Sequence, residues 1–139
     1  MNHLIANRTM PSSSVIPILV YVDVDKAIHW LSEAFGFTER WRAEGHRAQL
    51  SYGNGALIIL RGQPGFAPGA VLIRVSDLDA HYAQAVKKGV KILSPPTDFP
   101  YGERQYNAED IGGHRWTFSM SIADVAPEEW GGSTHVIES

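Results

Sequence analysis

The 139-residue chain contains no cysteine. That excludes disulfides, zinc–thiolate centres and thiol nucleophiles together. It has no apolar run approaching the roughly 18 residues that a membrane-spanning helix needs. Residues 1–14 (MNHLIANRTMPSSS) lack a basic stretch followed by an apolar one, so no secretion signal is expected and the segment reads as a tail. There is no Lys/Arg block either. Twelve basic against fifteen acidic residues leave a net charge of −3, which argues against nucleic acid and membrane-surface partners. No Gly-x-Ser-x-Gly elbow and no phosphate loop is present. The six histidines (His3, His29, His46, His81, His114 and His135) show neither the spacing of a helical HxxxH nor that of a strand HxH. What survives is a cytoplasmic protein with no expected cofactor. Its hydrophobic fraction of 44% is that of an ordinary globular domain with a core of its own.

What is present is strongly patterned. Val15 to Val24 is β-branched and apolar, as a buried strand requires, with Pro17 near its start. Asp23 or Asp25 can cap the helix that follows. In it Ala27, Ile28, Leu31, Ala34 and Phe35 recur at helical spacing, and Gly36 ends it. Thr38–Glu44, His46–Tyr52 and Ala56–Arg61 read as three strands, the last two joined through Asn54-Gly55, a strong hairpin signal. Residues 62–69 (GQPGFAPG) form a Pro/Gly linker.

After the linker the order recurs. Gly69–Val75 reads as a strand, and Leu78–Lys88 as a helix capped by Ser76 or Asp77 and ended by Gly89. Lys91–Leu93 is a short strand and Ser94–Pro100 a proline-rich loop. Glu103–Asn107 and Arg115–Met120 then make a hairpin about the turn Asp110-Ile111-Gly112-Gly113. Asp23 and Asp77 stand 54 residues apart, so the chain is a duplicated βαβββ unit. The expected domain spans residues 15–122, with modules 15–62 and 69–122 and tails 1–14 and 123–139. Its class is α+β: two tandem βαβββ modules forming a curved mixed sheet around a cavity, helices outside. Trp130, in the final tail, is expected on the body or on a second subunit.

This duplication, together with AIHWLSEAFGF at Ala27–Phe37 and PYGERQYNAEDIGGHRWTFS at Pro100–Ser119, resembles the glyoxalase/bleomycin-resistance/extradiol-dioxygenase superfamily, the vicinal oxygen chelate proteins. The resemblance covers roughly Val15 to Ser121, and the closing segment looks most like the bleomycin-resistance branch. One departure is Ile111, where the family turn often carries proline. The resemblance implies homodimers whose grooves the partner completes. In members that are enzymes it also implies a divalent metal held by His, Gln or Glu from the first and last strands of each module. Counting from the helix-entry aspartates and the turn glycines places those four positions at Ile16, Ile59, Ala70 and Thr117. Three of these side chains have no lone pair to give, and a lone threonine hydroxyl is a poor ligand.

The expected function is therefore metal-free sequestration of an aromatic or amphiphilic small molecule in an apolar, partly basic cavity. The alternative is a glyoxalase-fold lyase, isomerase or dioxygenase with a non-standard or absent metal site. Alternation puts Ile18, Val20, Leu72, Arg74, Arg115, Thr117 and Ser119 on the inward face. Trp41, Tyr52, Phe66, Tyr101, Arg104 and Tyr106 are expected at the rim, where aromatic faces supply stacking. Arg74, if buried, requires an acid or a ligand anion. Trp30, Trp116 and Phe118 are expected in the core and His114 in a structural role. Glu103 is weighed as a general base but read as an ordinary polar residue beside a turn.

Overall fold

The structure, a computed structural model, describes residues 4–135; His3, named above, lies outside the described residues. The first module comprises β1 (Ile18–Tyr21), α1 (Val24–Phe35), β2 (Thr38–Ala43), β3 (Arg47–Tyr52) and β4 (Gly55–Arg61). The second comprises β5 (Ala70–Arg74), α2 (Leu78–Lys87), β6 (Lys91–Asp98), β7 (Glu103–Glu109) and β8 (Arg115–Ser121). Each module makes a four-stranded mixed sheet, in the orders β1-β4-β3-β2 and β5-β8-β7-β6. The first and last strands of a module pair in parallel, which is why a helix must separate β1 from β2 and β5 from β6.

Local chemistry sets the helices. The carboxylates of Asp23 and Asp77 accept from the Lys26 and Ala80 amides at 3.0 and 3.1 Å, taking up donors that the first turns leave free. Gly36 closes α1 in the left-handed conformation, φ 84°. The proline-rich segment after Leu93 is strand rather than loop: β6 runs on to Asp98 through Pro95 and Pro96. It is the edge strand of its sheet, and its pairing with β7 shifts register on both sides of Ser94. An edge with irregular pairing tolerates residues that have no amide hydrogen.

The helices cover one face of each sheet, and a single core runs through both modules. Leu31, Phe35, Leu50, Leu57, Ile59, Leu78, Tyr106, Trp116 and Phe118 are all buried in it. Phe35, at the end of α1, packs edge-on against Phe118 at 4.7 Å and lies 5.3 Å from Trp116, so the first module's helix rests on the second module's sheet. His81 of α2 completes this junction. Its Nδ1 is 2.5 Å from the Tyr106 hydroxyl and its Nε2 3.0 Å from the Phe35 carbonyl, an arrangement satisfied by a neutral ring donating from Nε2. Burial lowers the pKa of this histidine.

A second junction surrounds the β7–β8 turn. Asp110 accepts four hydrogen bonds: from Tyr21 Oη at 2.5 Å, Trp116 Nε1 at 2.9 Å, and the amides of Gly112 and His114 at 2.8 and 3.0 Å. His114 accepts from the Gly69 amide at Nδ1 (2.8 Å) and donates from Nε2 to the Val20 carbonyl at 2.7 Å. The turn thereby ties β1, the linker and β8 together, which is the structural part expected of His114.

Candidate functional site

The faces of the two sheets turned away from the helices carry the exposed strand side chains, and part of the N-terminal segment lies over the first of them. In β5, Ala70, Leu72 and Arg74 are exposed while Val71 and Ile73 pack on the core. In β1, Ile18 is 59% exposed while Leu19 and Tyr21 are buried. The parity expected for Ile18, Val20, Leu72, Arg74, Arg115, Thr117 and Ser119 is therefore observed. Arg74, however, is exposed rather than buried, so the argument that it must have an internal acid lapses. Its guanidinium donates to Ser121 Oγ at 3.2 Å.

Strand register builds the two open faces row by row. On the second sheet Ser94, Asn107, Thr117 and Leu72 lie side by side across β6, β7, β8 and β5. Thr117 donates to Asn107 Oδ1 at 2.5 Å and Asn107 donates to Ser94 Oγ at 2.7 Å. In the adjacent row Gln105 donates to Ser119 Oγ at 3.0 Å, and Ser119 donates to Glu103 Oε1 at 2.8 Å. Tyr101 donates to Gln105 Oε1 at 3.2 Å. The corresponding row of the first sheet is Trp41, Gln49, Ile58 and Ile18. One face is thus a hydrogen-bonded polar bed, and the other sets the aliphatic Ile18 and Ile58 beside Trp41 and Gln49.

Of the sequence candidates, Tyr52, Leu72 and Arg74 converge where the modules meet. A hollow of about 210 Å³ lies there between Val15, Pro17, Phe37, Tyr52, Ala56, Val71, Leu72 and Ile73. A neighbouring one of about 260 Å³ adds Arg74 and the β3–β4 turn. Thr117 adjoins Leu72 in register, and Arg115 stands exposed at the start of the same face. Phe66 sits apart from them. It stacks on His114 at 5.3 Å and walls a separate hollow of about 390 Å³ with Tyr21, Val22, Lys26 and Ile111. Tyr101 stacks on Phe99 at 5.3 Å and meets Trp130 edge-on at 5.6 Å, so the tail's tryptophan packs on the body.

Two candidates belong elsewhere. Tyr106 pairs with Phe118 and is wholly buried on the helix side, where its hydroxyl meets His81. Arg104 pairs with Met120 and bonds Asp98 at 2.6 Å and Asp79 at 3.1 Å, reaching α2. The β7–β8 turn, Asp110 to His114, sets this phase by pairing Glu109 with Arg115. The same register selects Ser94, Gln105 and Asn107, which went unnamed in the sequence because isolated polar residues in a strand carry no signal until their neighbours are known.

Glu103 has the wrong electrostatics for a base near neutral pH. Hydrogen bonds from the Ser121 and Ser119 hydroxyls, with the charge of Arg74 behind them, hold its carboxyl below the usual range. Burial raises the Tyr52 hydroxyl above its own.

The metal that the resemblance implies finds no fitting donor set. Register corrects one position: Thr117 pairs with Leu72, whose repeat counterpart Ile18 pairs with Ile58 and not Ile59. Ile59 is buried on the helix side. The count slipped because the first hairpin turns at Gly53-Asn54 and the second needs Asp110 to His114. The four positions are therefore Ile16, Ile58, Ala70 and Thr117, still without an imidazole or carboxylate. Among the described residues no three His, Asp or Glu side chains cluster as a metal ligand set.

Residues 7–118 match the family model described as the Glyoxalase/Bleomycin resistance protein/Dioxygenase superfamily. The crystal structure of TioX from Micromonospora sp. ML1 is similar at 32% identity and a TM-score of 0.70, over 82% of this chain and 100% of that one. Fosfomycin Resistance Protein FosX from Mesorhizobium loti shares the fold at 16% identity and a TM-score of 0.62, over 81% of this chain and 94% of its own. The uncharacterized protein Rv0887c of Mycobacterium tuberculosis (strain ATCC 25618 / H37Rv) is 24% identical over 131 residues, 81% of this chain and 77% of its own.

Proposed function

The chain belongs to the glyoxalase/bleomycin resistance protein/dioxygenase superfamily, and from that premise we propose that it is a metal-free binding protein of the bleomycin-resistance type, sequestering an aromatic or amphiphilic small molecule. The observation that carries this reading is the composition of the open faces. The positions where enzymes of this fold would hold a metal are aliphatic in three cases of four, while the surroundings pair an apolar bed with a polar one. Tyr52, Leu72, Arg74, Thr117 and Tyr101 are its binding residues, with Ser94, Gln105 and Asn107 beside them. Ile18 and Leu72 are 59% and 54% exposed, an apolar surface suited to closure by the partner of a homodimer. The proposal places this binding protein in the cytoplasm. No helix among the described residues is long and apolar enough to cross a membrane.

Metal analysis of untagged, natively purified protein, followed by a thermal-shift screen of aromatic amphiphiles, tests the reading. The expected metal content is below about a tenth of an equivalent. A compound at a hundredfold excess over its Kd adds about 2.7 kcal/mol, a rise in Tm of roughly 8–13 °C that Arg74→Ala or Leu72→Glu should diminish. A stoichiometric transition metal in the native protein refutes the proposal. So does turnover of a bound compound that Glu103→Gln abolishes, which would establish the lyase, isomerase or dioxygenase alternative instead.

A further inference from the structure

Residues 4–14 precede β1, and part of this arm lies on the open face of the first sheet. The Thr9 carbonyl accepts two hydrogen bonds there, from Trp41 Nε1 and from Gln49 Nε2, each at 3.1 Å. Arg40 reaches the neighbouring Met10 carbonyl at 3.5 Å and also donates to Gln49 Oε1. That second bond fixes which end of the Gln49 amide faces the arm. Its oxygen is engaged by Arg40, so its NH₂ points at Thr9.

Gln49 and its row neighbour Ile58 are 0% and 8% exposed, while Ile18, one strand further along the row, is 59% exposed. Gln49 is thus a fully buried polar side chain, and the group its NH₂ meets is the arm. A buried amide whose donor loses its acceptor carries a desolvation cost. Release of the arm therefore demands a replacement carbonyl or water. The arm itself is lightly held. Asn7 Oδ1 accepts from the Thr9 amide and hydroxyl at 3.0 and 2.8 Å, a local turn that aims the Thr9 carbonyl at the sheet. Leu4 and Ile5 are 59% and 93% exposed, and Thr9 and Met10 lie at the surface. No strand ladder joins the arm to the sheet.

We propose that Trp41 and Gln49 form a carbonyl-reading subsite within the ligand face, and that Thr9 of the N-terminal arm is its resident occupant, displaced when a compound binds. The inference rests on the binding function proposed above and narrows the compound's class. It carries an amide or ester carbonyl beside its apolar part. Both donors are neutral, which suits a neutral acyl oxygen. Ile18 and Ile58, in the same row, supply the apolar bed next to them. A tethered arm competes at an effective concentration of the order of millimolar, so it sets a threshold that a free compound must exceed.

The test uses the full-length chain, ¹⁵N-labelled, with the Trp41 indole and Gln49 side-chain resonances as reporters. The probe is the arm's own segment, an acetylated and amidated Asn7–Ser12 peptide. It is titrated into the wild type and into Asn7→Ala, which removes the turn without touching either donor. The peptide should bind Asn7→Ala about tenfold more tightly than the wild type, and both reporter resonances should move. Adding Gln49→Leu to Asn7→Ala should lose that gain. Equal affinity for the two chains, no binding to a folded Asn7→Ala, or shifts confined to other residues would each overturn the subsite. An Asn7→Ala chain without a cooperative melt would overturn it as well, since the arm would then belong to the core. This assay is independent of whether any compound is found: a screened compound that binds without moving the two reporters sinks the subsite and leaves the binding function standing. Peptide binding as expected while the screen yields no compound would leave the Trp41–Gln49 carbonyl subsite standing and overturn its assignment to a small-molecule ligand.

Discussion

Asp110→Ala is the most informative single perturbation of this fold. Asp110 is 6% exposed and accepts four hydrogen bonds, from Tyr21, Trp116 and the amides of Gly112 and His114. Alanine would leave all four donors without their acceptor. Trp116 is fully buried, and Tyr21 and His114 are 2% and 1% exposed, so water reaches three of them poorly. An orphaned buried donor costs roughly 1–3 kcal/mol, and the terms overlap because one small cavity can hold a shared water. The expected loss is therefore about 3–5 kcal/mol, a large part of the stability of an ordinary domain. With roughly 3–5 °C per kcal/mol at this size, Tm falls by about 10–20 °C. Asp110→Asn keeps one acceptor oxygen for the two amides but presents an NH₂ group toward the Trp116 indole, and loses less, about 1–3 kcal/mol. Urea unfolding of the wild type and both variants, followed by tryptophan emission, measures the difference. Two results would refute the reasoning: a loss below about 1 kcal/mol in Asp110→Ala, or Asp110→Asn as damaging as Asp110→Ala.

Other predictions follow from separate features. His81 has a folded pKa below its ordinary 6.5 because of burial, so the unfolded chain binds more protons between those two values. Stability should be complete above about pH 6.5, fall as the pH drops through that window, and flatten below the folded value. Urea midpoints from pH 7.5 to about 5 should therefore slope less in His81→Gln than in the wild type, and an unchanged slope would show the junction does not hold the ring neutral. The Tyr21 hydroxyl is pushed above its usual range by burial first and by Asp110 second, so alkaline unfolding should begin as unfolded tyrosines ionise near pH 10. Gly102 has φ +84°, and a Cβ there would stand 2.2 Å from the Ala123 carbonyl oxygen. Gly102→Ala should cost roughly 2–3 kcal/mol and change Trp130 emission by freeing the tail from Tyr101, whereas a neutral effect would mean the tail is not anchored there. Sedimentation equilibrium should show a dimer that Ile18→Glu with Leu72→Glu dissociates, and a monomeric wild type would remove the partner from the proposal.

Much of this architecture could be read from local chemistry. Asp23 and Asp77 announced both helices, because an acceptor placed before an apolar 3.6-period stretch acts within one turn of chain. Alternation in β5 and β8 separated Leu72, Arg74, Thr117 and Ser119 from Trp116 and Phe118, because side-chain parity in a strand depends on nothing beyond the strand. What failed was phase between strands. Tyr106 and Arg104 were expected at the rim and lie on the helix side, and Ile59 stood for Ile58, since register passes through turns of unequal length. Pro95 and Pro96 looked like a loop because only sheet order reveals that β6 is an edge. The sequence by itself determined the two βαβββ units, their helices and the inner and outer side of individual strands, all set within a few residues. Tertiary structure alone decided which faces stay open, the bond from Tyr21 to Asp110, and the meeting of Thr9 with Trp41 and Gln49, because those bonds join groups 32 to 89 residues apart along the chain.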